Sequence, residues 1–185
     1  MSFASTTLYL LWENLLFFTG ATLFLAVVGL GWKSTKPFEL PTPLPSWFKI
    51  WFLTVQLLGG VLPILVIFLW GIWWHYQQVL IVLGAYLIML VLQIIAEIVT
   101  LRVFHSVVWV MVPYVYLPYR VWQLYEGLRL FDFNGELIWM RYLLILEIVV
   151  WIANYCLDLS QLPFLLRWEV GGETKKSESE PSSTT

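Results

Sequence analysis

Apolar segments of bilayer-crossing length recur along this chain, separated by short turns rich in tryptophan, proline or glutamine. A helix rises about 1.5 Å per residue, so roughly 20 apolar residues traverse the hydrocarbon core. Five such spans are expected: residues 8–31, 47–74, 79–101, 103–126 and 137–159. Composition agrees, with 60% of the residues hydrophobic and 12% charged. A soluble domain carries about 25% charged residues, so this chain lacks the polar surface that a water-soluble fold needs. The fold class is therefore all-α: an integral membrane helical bundle forming a single domain over residues 1–169. Residues 170–185, ending GGETKKSESEPSSTT, form a polar tail with too little apolar surface to pack, and disorder is expected there. The start, MSFASTTLYL, lacks the basic residues of a secretory signal and the arginines of a transit peptide, so the first span is expected to be retained.

Local signals refine these spans. Trp12 and Trp32 lie 20 residues apart, about 30 Å of helix, and tryptophan favours the two headgroup boundaries. Glu13 and Asn14 are then expected at an interface. Pro37, Pro41, Pro43 and Pro45 make the first loop a stiff, extended spacer. Gly59, Gly60 and Pro63 fall mid-span and predict a kink or a close helix approach. The turn from His75 to Gln78 is so short that the next helix must return as a hairpin. Asn134-Gly135 signals a turn before the last span, and Pro163 is expected to end that span.

The stretch Arg102–Gly127 admits two readings. Between His105 and Arg120 lie only 14 residues, including Pro113 and Pro118. That length suits a re-entrant segment as well as a crossing, while a full span requires Arg102 and Arg120 to snorkel toward opposite faces. Lys33, Lys36 and Lys49 place the first loop in the cytoplasm and the N-terminus outside. Seven basic residues against three fall inside in the five-span model, and the same tally results from four spans plus a re-entrant segment. Length favours five.

Glu147 sits ten residues into an apolar run, roughly 15 Å deep, where a charge costs on the order of 3 kcal/mol. Such a group is paired with Arg120 or Arg141, or protonated and hydrogen-bonded to Gln93. On the same helical face follow Trp151, Asn154 and Asp158, and Tyr86, Gln93, Glu97 and Thr100 form a comparable seam on the third span. With five spans, Glu97, Arg102, His105, Asn154 and Asp158 gather in the cytoplasmic half. A carboxylate beside an imidazole can relay protons, whereas near helix ends the same groups can simply satisfy each other or reach headgroups. The candidate intramembrane polar sites are thus Glu147, Asn154, Asp158, Gln93, Glu97, His105 and Arg120.

No metalloprotease, serine-hydrolase or phosphate-loop motif occurs, so no catalytic residue is assigned. His75 and His105 are expected a membrane apart, and Cys156 is the lone cysteine, so no cofactor or metal set is assigned either. Neither the net charge of −2 nor any basic stripe points to nucleic acid. The stretch Ala96–Leu128, with a helix ending in Gln93 and Glu97, a basic turn at Arg102, then Val112-Pro113 and a Tyr/Arg-bearing stretch through Arg120, resembles part of an uncharacterised multi-span membrane family of plants and cyanobacteria. That resemblance implies a photosynthetic source, for which a thylakoid location is the natural setting, and no assigned activity or site. The expected function is a multi-pass, non-enzymatic assembly, scaffold or partner-binding protein. Its partners would be the bilayer and other membrane proteins or further copies of itself. The alternative is a small proton- or ion-coupled carrier working through Glu147 and Glu97.

Overall fold

A computed structural model describes residues 3–31, 46–104, 108–131, 133 and 135–167. The proline spacer, Trp32, His105, Asn134 and the polar tail lie outside them. Helix accounts for nearly all of the described chain, and no strand occurs among the described residues. Five helices follow in order: α1 (Phe3–Gly31), α2 (Ser46–Trp73), α3 (Gln77–Phe104), α4 (Val108–Leu130) and α5 (Ile138–Arg167). A short 3₁₀ turn, Gly135–Leu137, leads into α5, and Gly135 takes the left-handed φ of 62° that the Asn-Gly signal anticipates. Contrary to expectation, α5 runs on past Pro163 to Arg167.

Successive helices reverse direction, as the residue pairings establish. Along α2 and α5, Trp51 bonds Asn154 while Trp70 packs on Trp139 at 4.6 Å. Along α3 and α4, Gln93 meets Arg120 and Val82 meets Gly127. Along α4 and α5, Tyr114 meets Asp158 and Gly127 faces Leu144. Helices α2, α3, α4 and α5 thereby close into a ring, and α1 lies outside it against α3 and α4. With five alternating helices, α1 begins at one end of the bundle and α5 finishes at the other.

Four helices, α1, α2, α3 and α5, are long and apolar enough to cross a membrane. Their outer surfaces carry exposed Leu16, Val27, Ile50, Phe68 and Trp73, an area that suits lipid rather than water. The fifth, α4, falls short in hydropathy for a physical reason: it is the surrounded helix. It packs on α1, α3 and α5, and buries Val112, Tyr116, Leu117, Arg120, Gln123, Leu124 and Gly127. A helix shielded by neighbours has no need of a lipid-compatible surface. Of the ambiguous segment, Arg102–Phe104 close α3, and from Val108 onward the chain forms one continuous helix of 23 residues with both prolines inside it. Arg120 does not snorkel outward. It points into the ring and is 2% exposed.

Helix α2 contains two wide π-type stretches, Leu57–Val61 and Ile67–Trp73, on either side of Pro63. Proline has no amide hydrogen for the carbonyl four residues earlier, which belongs to Gly59. That freed carbonyl accepts a hydrogen bond from the Tyr86 hydroxyl of α3. The expected irregularity near Pro63 is therefore an anchoring point between helices. The hairpin turn after α2 closes by backbone bonds wider than those of an α-helix, the Trp74 amide donating to the Leu69 carbonyl at 3.2 Å. The Tyr76 amide donates back to the Trp70 carbonyl at 3.0 Å, and His75 occupies the left-handed position with φ of 57°.

Candidate functional site

The ring encloses a polar core at mid-depth, built by one residue or two from each helix. Pro63 frees the Gly59 carbonyl on α2, and Gly59 itself leaves room for the Trp151 ring. A Cβ at that position would lie 2.4 Å from Trp151 Cζ2. Trp151, on α5, donates its indole N–H to the Tyr86 hydroxyl at 2.9 Å, and Tyr86 in turn donates to Gly59. One chain of hydrogen bonds therefore ties α5 to α3 and α3 to α2.

Arg120 enters this core from α4. Its guanidinium carbon lies 4.1 Å from the centroid of the Trp151 ring and 5.7 Å from that of Tyr86. Cation–π contacts of this kind are worth about 2 kcal/mol when desolvated. Nη2 donates to Gln93 Oε1, and Gln93 Nε2 donates to Glu97 Oε1 at 2.9 Å. Gln93 thus bonds Arg120 and Glu97 and makes no hydrogen bond to Glu147, so it is not the partner of Glu147 that one sequence reading allowed. Nε and Nη1 of Arg120 have no protein acceptor.

Glu147 lies one helical turn before Trp151 and is 0% exposed. Neither of its carboxylate oxygens has a protein hydrogen-bond donor. The nearby indole N–H of Trp151 is given to Tyr86. Arg141 is exposed on the outer surface, so the cation that acts on Glu147 is Arg120. The two side chains interact through their charges without a direct ion pair. The single ion pair seen among the described residues is elsewhere, Arg129–Glu126 at 3.5 Å.

Further along the same ring, Asn154 accepts from the Trp51 indole at 3.1 Å and donates to Asp158 Oδ2 at 3.3 Å. The Tyr114 hydroxyl donates to the Asp158 backbone carbonyl at 2.6 Å. Glu97 and Asp158 are half-buried at this end and feel each other's charge. Arg102 is exposed and takes no part, while His105 lies outside the described residues. The structure thus brings together Gln93, Glu97, Arg120, Glu147, Asn154 and Asp158 of the sequence candidates, as two linked clusters. No group of three or more His, Cys, Asp or Glu able to hold a metal occurs among the described residues.

A second polar contact, which sequence reading placed at an interface, pins α1. Asn14 is 7% exposed and accepts from the Tyr119 hydroxyl at 2.7 Å and from Gln123 Nε2 at 3.0 Å. Phe17 stacks on Tyr119 at 3.7 Å, and Glu13 accepts from the Trp122 indole at 2.7 Å. Asn14 is buried because α4 is itself rich in polar side chains on the face it turns to α1. The role of the Gly59 carbonyl also escaped sequence reading, although Pro63 four residues later was its signal. No family model matches the chain, and no curated protein or solved structure matches it at a significant level.

Proposed function

We propose that this chain is a multi-pass membrane protein that works without catalysis, as an assembly or partner-binding factor whose polar core holds its helices in register. The observation that carries this reading is the plugged seam. Arg120 is covered by Trp151 and Tyr86 and bonded to Gln93, and Tyr86 and Trp151 are committed to each other and to Gly59. Side chains that lock one another in this way suit a rigid scaffold better than an alternating-access site. Two shallow hollows lie at the surface of one end, one lined by His75, Tyr76, Gln77, Gln78 and Leu137. The other is lined by Tyr9, Glu126, Arg129 and Leu130. A carrier is the second reading, and it is favoured by one observation: both oxygens of buried Glu147 are unpartnered.

Mild-detergent extraction from native membranes, followed by native-gel separation and mass spectrometry, tests the proposal. A stoichiometric complex with another membrane protein is expected. A lone chain that drives a pH-dependent ion or solute flux in reconstituted vesicles, lost in Glu147→Gln, would replace this proposal with the carrier.

A further inference from the structure

The interior of the ring is polar in one half and apolar in the other. Going from Glu147 toward the ends of α3 and α5, the inward groups are Arg120, Gln93, Glu97, Asn154 and Asp158. Their exposure rises along that path, from Glu147 at 0% and Gln93 at 7% to the half-buried Glu97 and Asp158. In the opposite direction the inward residues are Val79, Val82, Leu83, Leu124, Met140 and Leu144, all at 3% exposure or less. There the helices interlock. A Cβ on Gly127 of α4 would lie 2.7 Å from Val82 of α3 and 3.8 Å from Leu144 of α5. Gln123 does not breach this plug, because it turns to Asn14 of α1.

At the boundary between the halves stand four orphan polar atoms: Nε and Nη1 of Arg120 and both oxygens of Glu147. Two donors and two acceptors in one buried core are the setting that ordered water fills, since a buried water takes two to four polar partners. Protein dielectric and desolvation make an isolated carboxylate there too costly to hold without such partners or a proton.

We infer that Glu147 is a water-linked proton-binding site with access from one side only. The route enters between Glu97 and Asp158, follows Gln93 and Arg120, and ends at Glu147. The charged and titratable groups facing Glu147 are Arg120 from α4 and Tyr86 from α3, with Glu97 further along α3 and Asp158 along α5 itself. From α2 the core receives Gly59 and Trp51, neither of which titrates. Because the Val82–Gly127–Leu144 plug closes the other half, the site takes up and returns protons on one face and conducts none across. Gain of a proton cancels the charge that Glu147 sets against Arg120, and Arg120 rests on Trp151, which rests on Gly59. The site thus reports pH on one face to the contact between α5 and α2. The inference rests on the membrane reading alone and stands apart from partner binding.

Two measurements test it on the full chain. Single cysteines are placed in a Cys156→Ser background at Gln93 and, as a second variant at the half-exposed mouth, Glu97. Two more are placed at Leu83 and Leu144 in the plug. Silver ion, a small probe that follows water, is applied to one face of sealed vesicles at a time, and the surviving thiol is then counted. Gln93→Cys and Glu97→Cys should lose their thiol to silver from the Glu97 face only, while the plug cysteines survive treatment from both faces. Loss at Leu83 or Leu144, or loss at Gln93 from the His75 face, overturns one-sidedness. Survival at both Gln93 and Glu97 overturns the route. Infrared difference spectra against Glu147→Gln should contain one carboxylic acid band that titrates with bulk pH and shifts in D₂O. A Glu147 band that ignores pH or deuterium overturns the proton site.

Discussion

Placing one methyl group at Gly59 tests how tightly α2 and α5 are locked. In Gly59→Ala the new Cβ would lie 2.4 Å from Trp151 Cζ2 and 3.0 Å from Cε2. The ring cannot swing aside freely, because its N–H holds Tyr86 and its face carries Arg120. Overpacking of this kind costs about 1–3 kcal/mol. Alanine also favours a helix over glycine by about 1 kcal/mol. The net loss expected is therefore about 0–2 kcal/mol. In a Trp151→Leu background the clash is gone while the helix preference remains, so Gly59→Ala should stabilise by about 1 kcal/mol relative to that single variant. The cost of Trp151→Leu itself drops out of the double-mutant cycle. Unfolding of the purified chain in mixed detergent and SDS, followed by circular dichroism, gives all four free energies. The same sign and size for Gly59→Ala in both backgrounds would refute the close approach.

Other expectations follow from particular contacts. His75 holds a left-handed backbone that costs a non-glycine residue about 1–2 kcal/mol, so His75→Gly should raise the SDS-unfolding midpoint; a lowered midpoint contradicts the left-handed turn. Asn14→Leu strips acceptors from Tyr119 and Gln123 and should lower stability by about 1–2 kcal/mol, given roughly 0.6 kcal/mol per membrane hydrogen bond and the penalty for stranded donors. Tyr76 lies in the turn outside the apolar helices, and its hydrogen bond to Glu136 at 2.9 Å is the main cause of a phenol pKa raised above the ordinary tyrosine value. The fold favours the protonated phenol, so this contact is intact below the ordinary tyrosine pKa and is lost as pH climbs through the raised one. In ultraviolet titration Tyr76→Phe should remove one tyrosine from the late-ionising part of the curve, and Glu136→Gln should shift one earlier; no change in either variant speaks against the bond.

Helix number and type were legible because lipid contact and hydropathy are directly related: α1, α2, α3 and α5 expose apolar faces and announce themselves. Helix α4 did not, because a helix surrounded by protein escapes that constraint and its charges blur the pattern. The same shielding explains Arg120. A cation in a short apolar run suggests snorkelling, and only the ring of neighbours turns it inward onto Trp151. Polar faces on α3 and α5 were readable from helical spacing, which placed Gln93 with Glu97 and Glu147 with Asn154 and Asp158. Which face meets which depends on tertiary packing, so the link from Gln93 to Arg120 was not readable. Nor was the burial of Asn14, which depends on α4 lying beside α1.

The central claim is that Arg120 and Glu147 form one coupled core that holds the ring together. A double-mutant cycle of Arg120→Met, Glu147→Leu and the pair measures it most directly, through SDS unfolding of each variant. Each single change leaves the other buried group without the charge that balances it and should cost about 1–3 kcal/mol, the penalty for stranding a buried polar group, whereas replacing both with apolar side chains removes that penalty. The pair is therefore predicted to be more stable than either single variant. Losses that simply add, leaving the double variant the least stable of the set, would contradict the coupled core.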